Sequence, residues 1–238
     1  MNAIAKKGTV VAIDGPAGTG KSSATKRLAD VLGFVHIDTG ALYRSIALLA
    51  LEQVNPEETE RFCKLARELA RTVKLEFKRD AKKNPANRVL ANGRDLTSLI
   101  RTPEVSMASS KISAIPEVRA SLLGLQRNLG CAGKSILEGR DIGTVVFPDA
   151  DIKFFLSASV DERAKRRLAE LEATGVDAPS FEEVKNQIAA RDAGDMNRTV
   201  APLRKAEDAL EIDTSNLTLD EVVEKMKIAV LTRTGGHS

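Results

Sequence analysis

Gly15-Pro16-Ala17-Gly18-Thr19-Gly20-Lys21-Ser22 fits the pattern G-x-x-x-x-G-K-[ST], and it lies between an apolar run ending at Ile13 and a helical pattern over 22–32. Glycines let the backbone curl until successive N–H groups point inward, and the helix that follows presents its positive end to the same spot. In that arrangement Lys21 reaches the β and γ phosphates of a nucleotide and the Ser22 hydroxyl holds Mg2+, with Ser23 beside it. At ordinary residue frequencies a chain of this length matches the pattern by chance about once in a hundred, and the flanking strand and helix make coincidence rarer.

Outward from this loop, short apolar runs at 9–13, 34–37, 135–137, 152–156 and 209–212 alternate with helical patterns. That alternation predicts an α/β fold, a doubly wound parallel sheet of five strands with helices on both faces. Asn55-Pro56-Glu57-Glu58 reads as a helix start, while Ser180-x-x-Glu183 and Thr218-x-x-Glu221 read as capping boxes. One stretch breaks the alternation. Runs at 73–77, 89–91 and 94–96 read as short antiparallel strands, the last two joined by Asn92-Gly93, whose residues accept the positive φ of a tight hairpin. The polar, basic segment 78–85 between the first two reads as a solvated loop, and the last residues, 234–238, as frayed.

Composition narrows the partners. The 238 residues are 42% hydrophobic and 29% charged, which excludes collagen-like, disordered and coiled-coil chains. Lys and Arg number 36 against 33 Asp and Glu, a net +3 that falls short of a duplex-binding module. Aromatics are 3% and Trp is absent, so few rings exist on which bases could stack, and no nucleic-acid partner is expected. Cys63 and Cys131 carry no metal or redox spacing and fit a reducing compartment. The apolar run after Lys6 and Lys7 is shorter than the about 7 to 15 residues of a signal peptide, and the longest run, 46–51, is far below the roughly 18 needed to span a bilayer. A cytoplasmic protein with no membrane association is expected.

A phosphate cradle alone does not separate a kinase from a switch or a motor. A guanine-specific switch carries Asn-Lys-x-Asp, and the nearest string, Asn92-Gly93-Arg94-Asp95, is not that. Ser135-Ile136-Leu137-Glu138-Gly139-Arg140-Asp141 is a short apolar run followed by mixed charge, a weak argument against a motor. His36 lies within a strand, packed or paired there, and His237 lies in the tail, so neither stands out as a base. Arg191, Asp195 and Arg198 share one side if the helix opened at Ser180 continues, which fits either a ligand-binding face or a solvated face with one ion pair.

Four segments together are more specific: Ile13-Asp14-Gly15-Pro16, Asp38-Thr39-Gly40-Ala41-Leu42-Tyr43-Arg44, Gly139-Arg140-Asp141-Ile142-Gly143-Thr144-Val145-Val146-Phe147-Pro148, and Asn197-Arg198 through Pro202. Over residues 9–231 the chain resembles the bacterial cytidylate kinases, of the nucleoside monophosphate kinase family. The resemblance implies a single P-loop kinase domain whose core is 1–62, 111–156 and 177–238. It bears a monophosphate-binding insert, the small antiparallel sheet, over about 63–110, and a helical lid over about 157–176. It implies in-line transfer from ATP, with Mg2+, to CMP or dCMP, in a monomer.

By the same resemblance Gly15, Pro16, Ala17, Gly18, Thr19, Gly20, Lys21, Ser22 and Ser23 hold ATP, with Ser22 on the metal. Arg44 and Arg140 hold the acceptor phosphate, Asp38 with Thr39 stands beside Arg44, Arg191 and Asp195 hold the sugar hydroxyls, and Arg198 bridges the phosphates. Arg163, Arg166 and Arg167 border the lid; Lys21, Arg163, Arg167 and Arg198 form the catalytic set. Ser110, Arg119 and Asp141 read the base. Cytosine offers an amino donor beside ring acceptors, so a carboxylate meets the donor and a guanidinium the acceptors. Uracil places an oxygen against the carboxylate instead, a mismatch worth about 1 to 3 kcal/mol. Phosphoryl transfer to a phosphate oxygen, ionised above about pH 6, needs no dedicated base. Gly194 and Met196 stand where further basic residues are expected, and Glu138 stands in place of a shorter acid. Two rivals remain at this level: a kinase of another small acceptor such as shikimate or gluconate, and a nucleotide-sensing switch.

Overall fold

A computed structural model describes residues 8–79, 87–173 and 179–235. In chain order its elements are β1 (Val10–Asp14), α1 (Lys21–Leu32), β2 (Val35–Asp38), α2 (Gly40–Leu51), α3 (Thr59–Thr72), β3 (Leu75–Arg79), β4 (Asn87–Ala91) and β5 (Arg94–Asp95). There follow a 3-10 turn (Leu99–Arg101), α4 (Pro103–Ser113), α5 (Pro116–Cys131), β6 (Ser135–Gly139), a π-helical turn (Ile142–Val146), β7 (Ile152–Ser157), α6 (Val160–Glu172), α7 (Phe181–Asn197), β8 (Leu210–Asp213) and α8 (Leu219–Thr234). The chain divides into two compact units, one of Met1–Ile37 with Arg127–Ser238, the other of Asp38–Gln126.

The first unit is built on a five-stranded sheet of order β2-β6-β1-β7-β8, with parallel ladders β1/β6, β1/β7 and β7/β8. Its central strand β1 reads Val-Val-Ala-Ile-Asp, and all five residues are buried, as expected of a strand covered on both faces. Val11 and Ile13 turn to one face, where Ala24 and Leu28 of α1 and Val222, Val223, Met226 and Val230 of α8 close a core with Ile136, Phe154 and Leu156. On the opposite face the last turn of α5 comes so near that a Cβ at Gly130 would lie 2.5 Å from the Phe147 ring and 3.1 Å from Leu137. After β1 the chain crosses to β2 on one side of the sheet, and from β6 it crosses back past β1 to β7 on the other, so the carboxyl end of β1 is a topological switch point, where open α/β sheets bind ligands. The loop after β1 occupies it.

Each expected core strand forms, displaced by a residue or two at its ends. Both capping boxes close: Ser180 Oγ accepts from the Glu183 amide while Glu183 Oε2 accepts from Ser180 N at 2.8 Å, and Thr218 and Glu221 repeat the pattern. Such caps contribute about 1 kcal/mol each. The expected helix start at Asn55 is corrected. Asn55 Oδ1 accepts from Glu57 N at 3.0 Å and its carbonyl from Glu58 N, which closes a separate turn, and α3 begins only at Thr59. Asn satisfies backbone donors in an isolated turn as readily as at a helix end, so the same four residues fit both.

The second unit packs α2, α3, α4 and α5 with the antiparallel sheet β3-β4-β5 around Leu42, Ile46, Phe62, Leu96, Ile100 and Ile112, all at most 1% exposed. Its β4–β5 turn is the expected Asn92-Gly93, at φ 49° and 84°. Most of the basic loop, residues 80–86, lies outside the described residues, as do 174–176 of the lid segment and the tail from 236.

Candidate active site

The loop after β1 must turn sharply beneath β7. Gly15 has φ 147°, and a Cβ there would lie 2.1 Å from the Leu156 carbonyl oxygen, so only glycine fits. Gly20, at φ 80°, caps α1, whose first residue is Lys21. Lys21 is buried; its Nζ donates to Pro16 O and, at 3.2 Å, to Thr19 Oγ1, so the ammonium lies against the loop's own oxygens. Burial holds its pKa well below the ordinary 10.5; the Arg140 charge adds to this while Glu138 and Asp14 oppose it. An anionic phosphate laid on the loop reverses that penalty.

Two braces fix the loop from outside. Arg163, 4% exposed, donates from Nη1 to Ala17 O at 3.0 Å and to Asp192 Oδ2 at 2.5 Å, and from Nε to Ala158 O at 3.0 Å, tying the loop to β7, α6 and α7. Thr214 Oγ1 donates to Thr19 O at 3.1 Å. Of the neighbouring arginines, Arg166 donates to Thr214 Oγ1 and O, and Arg167 pairs with Glu170 on the surface.

Ser22 opens α1 beside the loop, with Ser23 exposed next to it. The β1/β6 register sets Glu138 level with Ile13, and side-chain alternation turns it to the α1 face. There its Oε2 accepts from Ser22 Oγ at 2.8 Å, and its Oε1 lies 2.9 Å from His36 Nε2 on β2. Hydroxyl and carboxylate oxygens are the hard donors that suit Mg2+. Among the described residues no group of three or more His, Cys, Asp or Glu forms a metal cage of its own.

Beyond β6 the dipeptide Arg140-Asp141 meets the end of α7 in two pairs. Arg140 Nε donates to Asp195 Oδ2 at 2.9 Å, and Arg198 Nη2 lies 3.4 Å from Asp141 Oδ1. Asp141, Asp195 and Arg198 are all under a tenth exposed. Helix α7 carries Arg191 and Asp195 but ends at Asn197, so Arg198 is not on the helical face expected from spacing. It stands just past the helix in extended conformation and donates from Nε to Ala201 O at 2.5 Å. Ala201 holds φ 49° immediately before Pro202, a position that normally excludes it, and such strain is typical of functional loops.

Asp141 also starts the π-helical turn, a rare element that recurs at functional sites. Two side chains hold that turn and a third holds the segment just after it. Asp14, the last residue of β1, accepts from Ile142 N at 2.8 Å and Gly143 N at 2.7 Å. Arg127 donates to Val145 O and Val146 O at 3.2 and 3.0 Å, and Lys153 donates to Pro148 O at 2.6 Å and Asp208 at 2.8 Å. Burial raises the Asp14 carboxyl from 3.8 to about 6, with the two amides pulling the other way and Asp141 adding to the rise.

The remaining expected ligands stand on the second unit. Asp38 Oδ2 accepts from Arg44 Nη2 at 2.6 Å while its Oδ1 accepts from Ala41 N at 3.2 Å, which locks Arg44 on the first turns of α2. Arg44 Nε is buried and has no acceptor among the described residues. Thr39, buried, precedes α2. Arg119 lies 5.6 Å from the centroid of the Tyr43 ring and donates to Ser113 O at 3.3 Å; Ser110, half-buried on α4, accepts from Ser113 Oγ through its carbonyl.

Residues 11–231 match the sequence profile of the cytidylate kinases. The chain belongs to the cytidylate kinase family. It is 49% identical over 234 residues to a cytidylate kinase of Geobacter sulfurreducens, covering 98% of this chain and 97% of that protein. A cytidylate kinase of Syntrophotalea carbinolica is 47% identical over 94% of this chain and 92% of its own length. A bifunctional pantoate ligase/cytidylate kinase of Prochlorococcus marinus is 43% identical over 92% of this chain but only 41% of that longer protein. Membership makes this chain a nucleoside monophosphate kinase, a transferase, and disfavours both the other-acceptor kinase and the switch. A gluconokinase structure from Sinorhizobium meliloti, at 15% identity and TM-score 0.43, is too distant to bear on the acceptor.

Two residues that sequence reasoning left out of the cytidylate kinase site are Glu138 and His36. The signal was an acid at the carboxyl end of a strand beside the phosphate loop. Asp14 carried the same signal, whereas Arg127, which grips the π-helical turn, and Lys153, which grips the Pro148 carbonyl just past it, carried none.

Proposed function

We propose that this protein transfers the γ-phosphoryl group of ATP to CMP and dCMP. The observation that carries the reading is the pairing of Arg140-Asp141 with Asp195 and Arg198 beside the phosphate loop: alternating guanidinium and carboxylate groups, three of them buried and Arg140 partly so, adjacent to a phosphate cradle. The loop amides and Lys21 stabilise charge on the transferring group, and Arg198, Arg163 and Arg167 complete the donor set around it. Arg44, aimed by Asp38 with Thr39 beside it, and Arg140 bind the acceptor phosphate, whose oxygen attacks in line without a general base. Arg191 and Asp195 hold the sugar hydroxyls; Ser110, Arg119 and Asp141 read the cytosine edge. Ser22 would hold Mg2+ while its hydroxyl donates to Glu138, and the ion would supply charge neutralisation to the phosphates. Residues 63–110 serve as the monophosphate-binding insert and 157–176 as a lid that excludes water.

Cys63 and Cys131 stand as thiols rather than in a disulfide, which accords with a reducing cytoplasm, and no helix among the described residues is long and apolar enough to cross a membrane. The protein acts as a monomer. A coupled ADP-release assay on purified protein with CMP, dCMP, UMP, AMP, shikimate and gluconate tests the function. Turnover on CMP and dCMP at least tenfold above every other acceptor is expected, and faster turnover on any of the others overturns it.

A further inference from the structure

We propose that His36 is a positioning residue for the divalent cation, acting through Glu138 on Ser22; the inference rests on the reading of this site as a metal-nucleotide kinase. Glu138 accepts from the Ser22 hydroxyl, and its two oxygens meet different groups: Oε2 takes Ser22 Oγ at 2.8 Å and Oε1 meets His36 Nε2 at 2.9 Å. Both side chains are largely buried, His36 13% and Glu138 5% exposed. The three groups arise on different elements, β2, β6 and the first turn of α1, and the sheet order β2-β6-β1 makes them neighbours in sequence-independent fashion.

The physical need for a tether follows from the acid's length. A glutamate carboxylate stands three torsions from its backbone, and its rotamers must be frozen if it is to hold a serine hydroxyl proton away from the metal. A hydrogen bond to Oε2 alone leaves rotation about the last torsion free. The ring on the adjacent strand, stiff beyond its second torsion, grips Oε1 and fixes the plane. With its proton aimed at Glu138, the Ser22 hydroxyl oxygen would be left to ligate the cation. Groups that orient metal ligands in this way change metal affinity about 10- to 100-fold when removed, and a residue one bond further out belongs at the lower end.

The test is the metal-dependent gain in nucleotide affinity: the dissociation constant for the β,γ-imido analogue of ATP, measured by calorimetry with and without saturating Mn2+. His36→Phe, which keeps ring volume and loses the nitrogen, is expected to shrink the ratio of the two constants about tenfold while leaving the metal-free constant within twofold. His36→Gln, whose amide nitrogen reaches the same oxygen, is expected to restore the ratio to within about threefold. His36→Asn, too short to reach, should behave like His36→Phe and carries the comparison if the latter fails to fold. A ratio unchanged in His36→Phe or His36→Asn, equal loss with and without metal, or a His36→Gln variant as impaired as the others overturns the proposal. No acceptor is present in these measurements, so a failure of CMP as substrate shows separately in turnover.

Discussion

Asp14 offers the most quantitative handle on how the sheet positions Asp141. Its carboxylate is fully buried at the end of β1 and receives the amides of Ile142 and Gly143. Its pKa is about 6 in the folded protein against 3.8 in the open chain. Between those values the native state holds a proton that the unfolded state has lost, so stability must fall as pH rises, at about 1.4 kcal/mol per pH unit. The whole stretch amounts to about 3 kcal/mol, present below pH 3.8 and lost once pH has passed about 6. Between pH 4.5 and 7.5 the loss is about 2 kcal/mol, which for a chain of this size is about 4 to 8 °C in Tm. Asp14→Asn removes the titration and keeps one acceptor for the two amides. Its stability relative to wild type should therefore improve by about 2 kcal/mol on going from pH 4.5 to 7.5, whatever its offset at one pH. Denaturant melts of both proteins at the two pH values measure this difference. An offset constant to within about 0.5 kcal/mol would refute the burial of this carboxyl and, with it, the reason given for the fixed position of Asp141.

Lys21→Met should lower kcat by at least about 100-fold while raising Tm, because a buried, desolvated ammonium is replaced by a thioether of similar length; turnover assays and a melt separate the two effects. Gly15→Ala should abolish turnover and destabilise the fold by several kcal/mol, since its Cβ meets the Leu156 carbonyl at 2.1 Å and the strand has no room to yield. Asp192→Ala leaves the buried Arg163 guanidinium without its carboxylate and should cost about 3 to 5 kcal/mol in a denaturant melt.

Most of the sheet was legible because its strands are covered on both faces. Val10 to Ile13 reads as an unbroken apolar run for that reason, and Ser180 and Thr218 announce their helices through side-chain chemistry that acts locally. Asn55 misled because a turn and a helix start satisfy the same donors, and the choice between them was made by packing in the second unit. Within the site, the phosphate loop is local in sequence and could be read directly. Glu138 meets Ser22 across 116 residues and His36 across 102, and such pairings follow from strand order rather than from any short motif. The pairs Arg140–Asp195 and Arg198–Asp141 were half visible: spacing grouped the α7 residues, while only the structure shows the adjacent, oppositely charged dipeptide that they meet.

We propose that the Asp141 carboxylate selects cytosine by accepting from its amino group. The ratio of kcat/KM for CMP over UMP, measured in wild type and in Asp141→Asn, tests it most directly. An asparagine can turn its amide nitrogen toward the uracil oxygen, so the ratio should fall by about tenfold or more, with UMP gaining in absolute rate relative to CMP. A ratio unchanged within twofold, in a variant that keeps its fold, would contradict the account.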